Sequence, residues 1–174
     1  IQCRPWIIDK MLSPQEIKTY VRDTFFIQRL KMKSRISGIL ANWLTPLIDS
    51  VMNSTNGIPV YLSQRRIMET FVKSVEALRA NENLLIFPEN KGVKSPNHKH
   101  IFQFKTGFVY LAKMYYRETE KSTTFVPVSI NPKTPSLNVG KPVVFQPQNN
   151  FMLEKERITE HLMNQIDRLY LPNR

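Results

Sequence analysis

The run Asn83-Leu84-Leu85-Ile86-Phe87-Pro88-Glu89-Asn90 constrains this chain more than any other stretch. It reads as a short apolar strand stopped abruptly by Pro, after which Glu, Asn, Lys and Gly are presented in succession. An α/β protein delivers polar groups to the carboxyl edge of a parallel sheet in this way, and ligands bind at that edge. The neighbouring segments agree with a strand here. A helical face of Ile67, Phe71, Val75 and Leu78 precedes it, and a second one with Phe108, Leu111, Ala112 and Tyr115 follows. Alternating strands and helices imply an α/β fold with a mostly parallel central sheet and helices on both faces.

The same alternation runs through most of the chain. Pro5-Trp6-Ile7-Ile8 reads as a short buried strand. Ser13-Pro14-Gln15-Glu16 is a capping box with Pro at the first helical position, so a helix starts there with Ile17, Tyr20, Val21 and Phe25 on its apolar face. A basic stretch follows, Arg29, Lys31, Lys33 and Arg35. The next helix spans about Ile36 to Met52, with Pro46 as its kink point. It is so apolar around Trp43 that it belongs either to the centre of the core or to a contact with lipid. Ile58 to Leu62 reads as a strand, Ser63 as the cap of the next helix, and Lys91 to His100 as a polar, basic loop. Phe125 to Ile130 is a further strand with Val126 and Val128 facing the core. Leu137 to Val139 and Val143 to Phe145 read as a hairpin or two short strands, and a final helix carries Ile158, Leu162, Ile166 and Leu169. At 174 residues the default is a single domain.

Composition narrows the function classes. Apolar residues at 41% and aromatics at 10% exclude intrinsic disorder. A lone cysteine, Cys3, rules out an intrachain disulfide and a cysteine-based metal site. Lys plus Arg number 25 against 14 Asp plus Glu, a formal net charge of +11, which favours anionic partners such as a membrane face, phosphorylated small molecules or nucleic acid. The basic residues are spread along the chain and no nucleic-acid motif accompanies them, so nucleic acid ranks last. No stretch reaches the roughly 18 uninterrupted apolar residues of a spanning helix, and nothing at the start resembles a signal peptide.

Four blocks occur in a telling order: Gly57-Ile58-Pro59-Val60-Tyr61, Phe87-Pro88-Glu89-Asn90, Phe104-Lys105-Thr106-Gly107 and Val126-Pro127-Val128. Together they resemble the lysophospholipid/glycerol-phosphate acyltransferase superfamily over nearly the whole chain. The similarity is greatest to a bacterial, clostridial-type branch of 1-acylglycerol-3-phosphate acyltransferases. The resemblance implies transfer of a fatty acyl group from acyl-CoA or acyl carrier protein, as co-substrate, to a hydroxyl of a lysophospholipid or glycerol-phosphate acceptor. It implies no metal and no cofactor. It also implies a cytoplasmic protein, peripheral to the inner face of the cell membrane and in contact with an anionic membrane surface.

The family's first motif is a His-x4-Asp pair, in which the His acts as general base and the Asp orients it. Here His98, His100 and His161 are followed five positions on by Gln103, Lys105 and Ile166. The pair is therefore expected upstream of Ile1, and the chain is expected to be a fragment without its first strand and without catalytic residues of its own. The family's second block ends in a phosphate-binding Arg; Leu62 stands there, and Arg65 and Arg66 are the nearest substitutes. The third block, usually Phe-Pro-Glu-Gly-Thr-Arg, implies acceptor binding at Glu89; Asn90, Lys91 and Gly92 follow here, so the usual Gly and Arg are displaced or lost. Lys10, just after the first strand, is a further basic candidate. A loop carboxylate or an exposed surface accounts for the same residues without a ligand. The alternative function is a non-catalytic lipid- or acyl-binding module of the same fold. His98 and His100 read as a solvated loop, and Gly107 as a place where a helix start packs closely.

Overall fold

A computed structural model describes residues 3–9, 13–29, 31, 33–61, 65–131 and 136–170 of the chain. Two compact units divide it, Ile1–Ile86 and Phe87–Arg174.

The first unit holds the parallel sheet that the alternation predicts. Strands β1 (Cys3–Ile8), β2 (Ile58–Val60) and β3 (Asn83–Leu85) lie side by side in the order β2-β1-β3, all parallel. Trp6 stands opposite Ile58 and Arg4 opposite Leu84. Helix α3 (Ile67–Arg79) closes over β1 and β2 through two hydroxyls. Thr70 Oγ1 donates to the Pro59 carbonyl at 2.7 Å, and the Trp6 indole N–H donates to Ser74 Oγ at 2.9 Å. Thr70 and Ser74 are both buried, so each bond satisfies a group that water cannot reach. The chain approaches itself closely at Gly57. A Cβ there would collide with Cδ1 and Cγ1 of buried Ile7 and lie 3.3 Å from the Pro5 carbonyl oxygen.

Between β1 and β2 the chain builds a helical group. Helix α1 (Pro14–Tyr20) starts as its sequence requires: Ser13 is the N-cap, its hydroxyl accepts from the Glu16 N–H at 3.4 Å, and Pro occupies the first turn. The helix widens into a π-helical segment over Val21–Arg29 before helix α2 (Ser34–Ser54). Ile17, Val21, Phe26 and Ala41 form the core of this group, with Leu44 and Ile48 packed against it. Pro46 sits inside α2 and removes one helical donor, while Thr45 Oγ1 bonds the Ala41 carbonyl at 2.6 Å. Tyr20, expected on the inner face of α1, is exposed.

The second unit contains antiparallel pairs. Strand β4 (Glu89–Lys94) pairs with β5 (Phe102–Phe104), β6 (Thr124–Phe125) with β9 (Val143–Val144), and β7 (Val128–Asn131) with β8 (Ser136–Val139). Residues Thr106–Val109 form a 3-10 turn leading into α4 (Tyr110–Thr119), and α5 (Phe151–Tyr170) packs on this turn, β7 and β9. Of a hairpin or two short strands, the second holds: 136–139 and 143–144 each pair with an earlier strand. Two expectations change here. Residues 89–94, read as mostly loop, form a strand. Val126 and Val128 are exposed, and Pro127 and Ser129 are the buried residues, because β7 turns that phase of its pleat toward the interior. Gly107 also differs: a Cβ there meets nothing within 4 Å, so no close packing demands glycine.

Candidate functional site

The residues nominated by sequence fall in both units. Arg65 and Arg66 belong to the first, Glu89, Asn90 and Lys91 to the second, and Lys10 lies outside the described residues. Ser63, the expected cap of α3, also lies outside them. Arg66 occupies the N-cap position, and its side chain makes no capping hydrogen bond.

The two arginines differ in what holds them. Arg66 donates to Glu69 from Nε at 3.2 Å and Nη2 at 3.4 Å, and its guanidinium lies 3.6 Å from the centre of the Tyr61 ring. Its hydrogen bonds to Glu69 raise its pKa above the ordinary arginine value. Arg65 is exposed, and no carboxylate pairs with it among the described residues. Among the described residues, Arg66 is thus tethered and Arg65 has no carboxylate partner.

Glu89 opens β4, opposite Phe104, and is exposed, with Asn90 beside it half-buried. The ribbon is irregular. Its register shifts between Glu89 and Lys94, and Gly92 has φ +97°, a value that glycine adopts without strain. Both ends of the ribbon are fixed. The Pro88 carbonyl accepts from the Lys105 N–H at 2.8 Å. At the other end, the loop after Lys94 is pinned to α5 through His98, which is buried rather than solvated.

His98 Nδ1 lies 2.7 Å from Ser95 Oγ, and Nε2 lies 3.3 Å from Asn164 Oδ1. The Asn164 amide nitrogen donates to Glu160 at 3.1 Å, which turns its oxygen toward the ring. Nε2 therefore donates toward Asn164, and Nδ1 shares its hydrogen bond with the Ser95 hydroxyl. The His100 backbone N–H adds a bond to Asp167 at 2.9 Å, and its ring stacks on Tyr170. These histidines position the ribbon; their partners are already taken.

Two further polar groupings were not anticipated from the sequence. Glu154, in the first turn of α5, is buried, and its carboxylate accepts from the Gln146 N–H, Asn149 Nδ2 and Arg157. Its pKa is held down to about 2, chiefly by the Arg157 hydrogen bonds. The signal was present as Glu154 and Arg157, three apart on a helix, following Gln146 and Asn149. Close by, Lys113 and Arg117 line a cavity of about 340 Å³ with Phe145 and Phe151. Their four-residue spacing on α4 marks one helical face. None of the nominated residues lines it. Among the described residues, no three His, Cys, Asp or Glu side chains group to hold a metal ion.

A family model described as Acyltransferase matches residues 23–131 of the chain. No curated protein and no solved structure gives a match.

Proposed function

Because the chain belongs to the acyltransferase family, we propose that it serves the transfer of a fatty acyl group from acyl-CoA or acyl carrier protein to a hydroxyl of a lysophospholipid or glycerol-phosphate acceptor in phospholipid synthesis. One observation carries this reading: the matched span, 23–131, contains all four sequence blocks, from Gly57 through Val128. Arg65, exposed just before α3, supplies a guanidinium fork suited to the acceptor's phosphate. We assign Glu89, Asn90 and Lys91 to acceptor binding on the strength of the family's third block alone. In the family's mechanism the His of a His-x4-Asp pair deprotonates the acceptor hydroxyl, and none of His98, His100 and His161 stands in such a pair. The reaction takes place at the inner face of the cell membrane, on an anionic lipid surface.

The absence of a His with Asp five positions later within the 174 residues favours a second reading, a lipid- or acyl-binding module that keeps the fold without the chemistry. Intact mass and N-terminal sequencing of the protein from its native source separate the two. An upstream His-x4-Asp supports transfer, and an upstream segment without it supports binding alone.

Acyl-transfer assays on the full-length protein then test the phosphate contact. Arg65→Ala is expected to raise KM for a phosphorylated acceptor about tenfold with kcat little changed, the loss of one charged hydrogen-bonding group. Arg66→Ala is expected to act less, since Glu69 and Tyr61 already engage that side chain. Equal KM values for wild type and Arg65→Ala would remove Arg65 from the site.

A further inference from the structure

Helix α2 carries two apolar faces, and the sheet and helices of its own unit use only one. Ala41, Leu44 and Ile48 pack toward Ile17, Val21 and Phe26. On the other side Ile39, Trp43, Leu47 and Val51 are 65%, 84%, 62% and 50% exposed. These four are spaced by four residues, and each step advances about 40° round the helix. They form a slanting stripe along the helix, and exposed Leu40 widens it. A contiguous apolar stripe of this size facing water marks an interaction surface.

We infer that α2 lies flat in the interface of an anionic lipid bilayer, with Ile39, Trp43, Leu47 and Val51 inserted below the headgroups. Three features select lipid over another occupant. First, Lys31 and Lys33 are exposed immediately before the helix, where they meet anionic headgroups at one end of the stripe. Second, across Ser34–Ser54 the ionisable residues are Arg35 and Asp49 alone, and Asp49 lies about 120° round the helix from Trp43, off the stripe. A protein partner would find almost nothing there to select by charge, whereas a bilayer needs only apolar area and a basic margin. Third, a tryptophan at the middle of the stripe suits the headgroup boundary, where its ring is buried and its N–H stays wet.

The depth is limited as well. Pro46 takes away the donor for the Asn42 carbonyl, and both residues are exposed at the edge of the stripe. That carbonyl needs water, so the helix rests at the surface. Accordingly, no helix of the described residues is long and apolar enough to cross a membrane. The inference rests on the proposed lipid acceptor for its purpose, though its test does not depend on it.

Co-sedimentation of the full chain with phosphatidylcholine vesicles containing phosphatidylglycerol reads the effect. Trp43→Asp combined with Leu47→Asp is expected to weaken binding at least tenfold, with the circular dichroism spectrum unchanged because both side chains point outward. Should that pair unfold the protein, Trp43→Ser alone is expected to weaken binding severalfold. Lys31→Ala and Lys33→Ala are expected to cost roughly fivefold each at low salt, and less as salt rises. Unchanged vesicle binding by the stripe variants would overturn the inference. So would loss of a dimer in sedimentation velocity with vesicle binding intact, which would assign the face to a second copy. With a monomeric, water-soluble acceptor the stripe variants should retain full acyl transfer. If the full-length protein from its native source transfers to no acceptor, the functional reading fails while the vesicle result still decides the helix.

Discussion

Replacing Glu154 by Gln is expected to destabilise the protein by roughly 3 kcal/mol near neutral pH and to flatten its acid denaturation profile. The carboxylate is buried at the start of α5 and accepts four hydrogen bonds: 2.8 Å from the Gln146 N–H, 2.9 Å from Asn149 Nδ2, and 2.9 and 2.6 Å from Arg157 Nε and Nη2. Arg157 Nη2 also donates to the Val144 carbonyl at 2.7 Å, so a single carboxylate joins the 146–150 loop, β9 and α5. Its position in the first helical turn adds a favourable dipole interaction.

A glutamine keeps the shape but presents two donors to an array of donors, leaving at least one of them unpaired in a buried place. The pH dependence follows from the direction of the shift. The folded pKa is about 2, below the ordinary 4.5, so the native state favours the ionised form. Its contribution is complete above about pH 4.5 and is lost as pH falls from there toward 2. Thermal melts across that range should show the wild type losing stability that Glu154→Gln never had. Parallel profiles for the two proteins would mean that the carboxylate contributes no such linkage.

Gly57→Val is expected to lower stability by about 2–3 kcal/mol, roughly 4–12 °C in Tm for a chain of this size. The new Cβ would occupy space held by Cδ1 and Cγ1 of Ile7, a residue 8% exposed, and the Pro5 carbonyl 3.3 Å away blocks retreat on the other side. Because Trp6 pairs with Ile58 one position on, the strain falls on the β1–β2 pairing. Ile7→Val deletes the atom that is struck first. Combined with Gly57→Ala it should recover part of the loss, giving a favourable coupling in a double-mutant cycle. Strict additivity would show that Ile7 simply rotates away.

The elements legible in the sequence were those whose signals are local. Ser13 and Pro14 announce α1, the 3.6-residue period announces α3 and α5, and apolar runs ending at turns announce the parallel strands. The acyltransferase blocks were legible for the same reason, being short and contiguous. What escaped depends on distant partners. Asn90 to Lys94 carry no hydrophobic alternation, yet form a strand because residues 102–104 lie alongside. Val126 and Val128 look like the buried phase of their strand. The choice between phases belongs to what lies beneath, and α5 and Gly140 receive Pro127 and Ser129 instead. The burial of Glu154 and His98 likewise depends on α5 coming from far along the chain. Of the candidate site, the residue identities were readable, but not the difference between a tethered Arg66 and an Arg65 with no carboxylate partner among the described residues, which rests on Tyr61 and Glu69 rotamers.

The β4–β5 ribbon also has a kinetic consequence. Two strands alone are marginal in water, and this pair is secured at the Lys105–Pro88 bond and at the His98 anchor, with the glycine-marked irregularity between. Backbone amides of residues 90–93 should therefore exchange with solvent far sooner than those of α5, while the flanking anchors stay protected. Such a segment breathes between two fixed posts and can change shape without unfolding its surroundings.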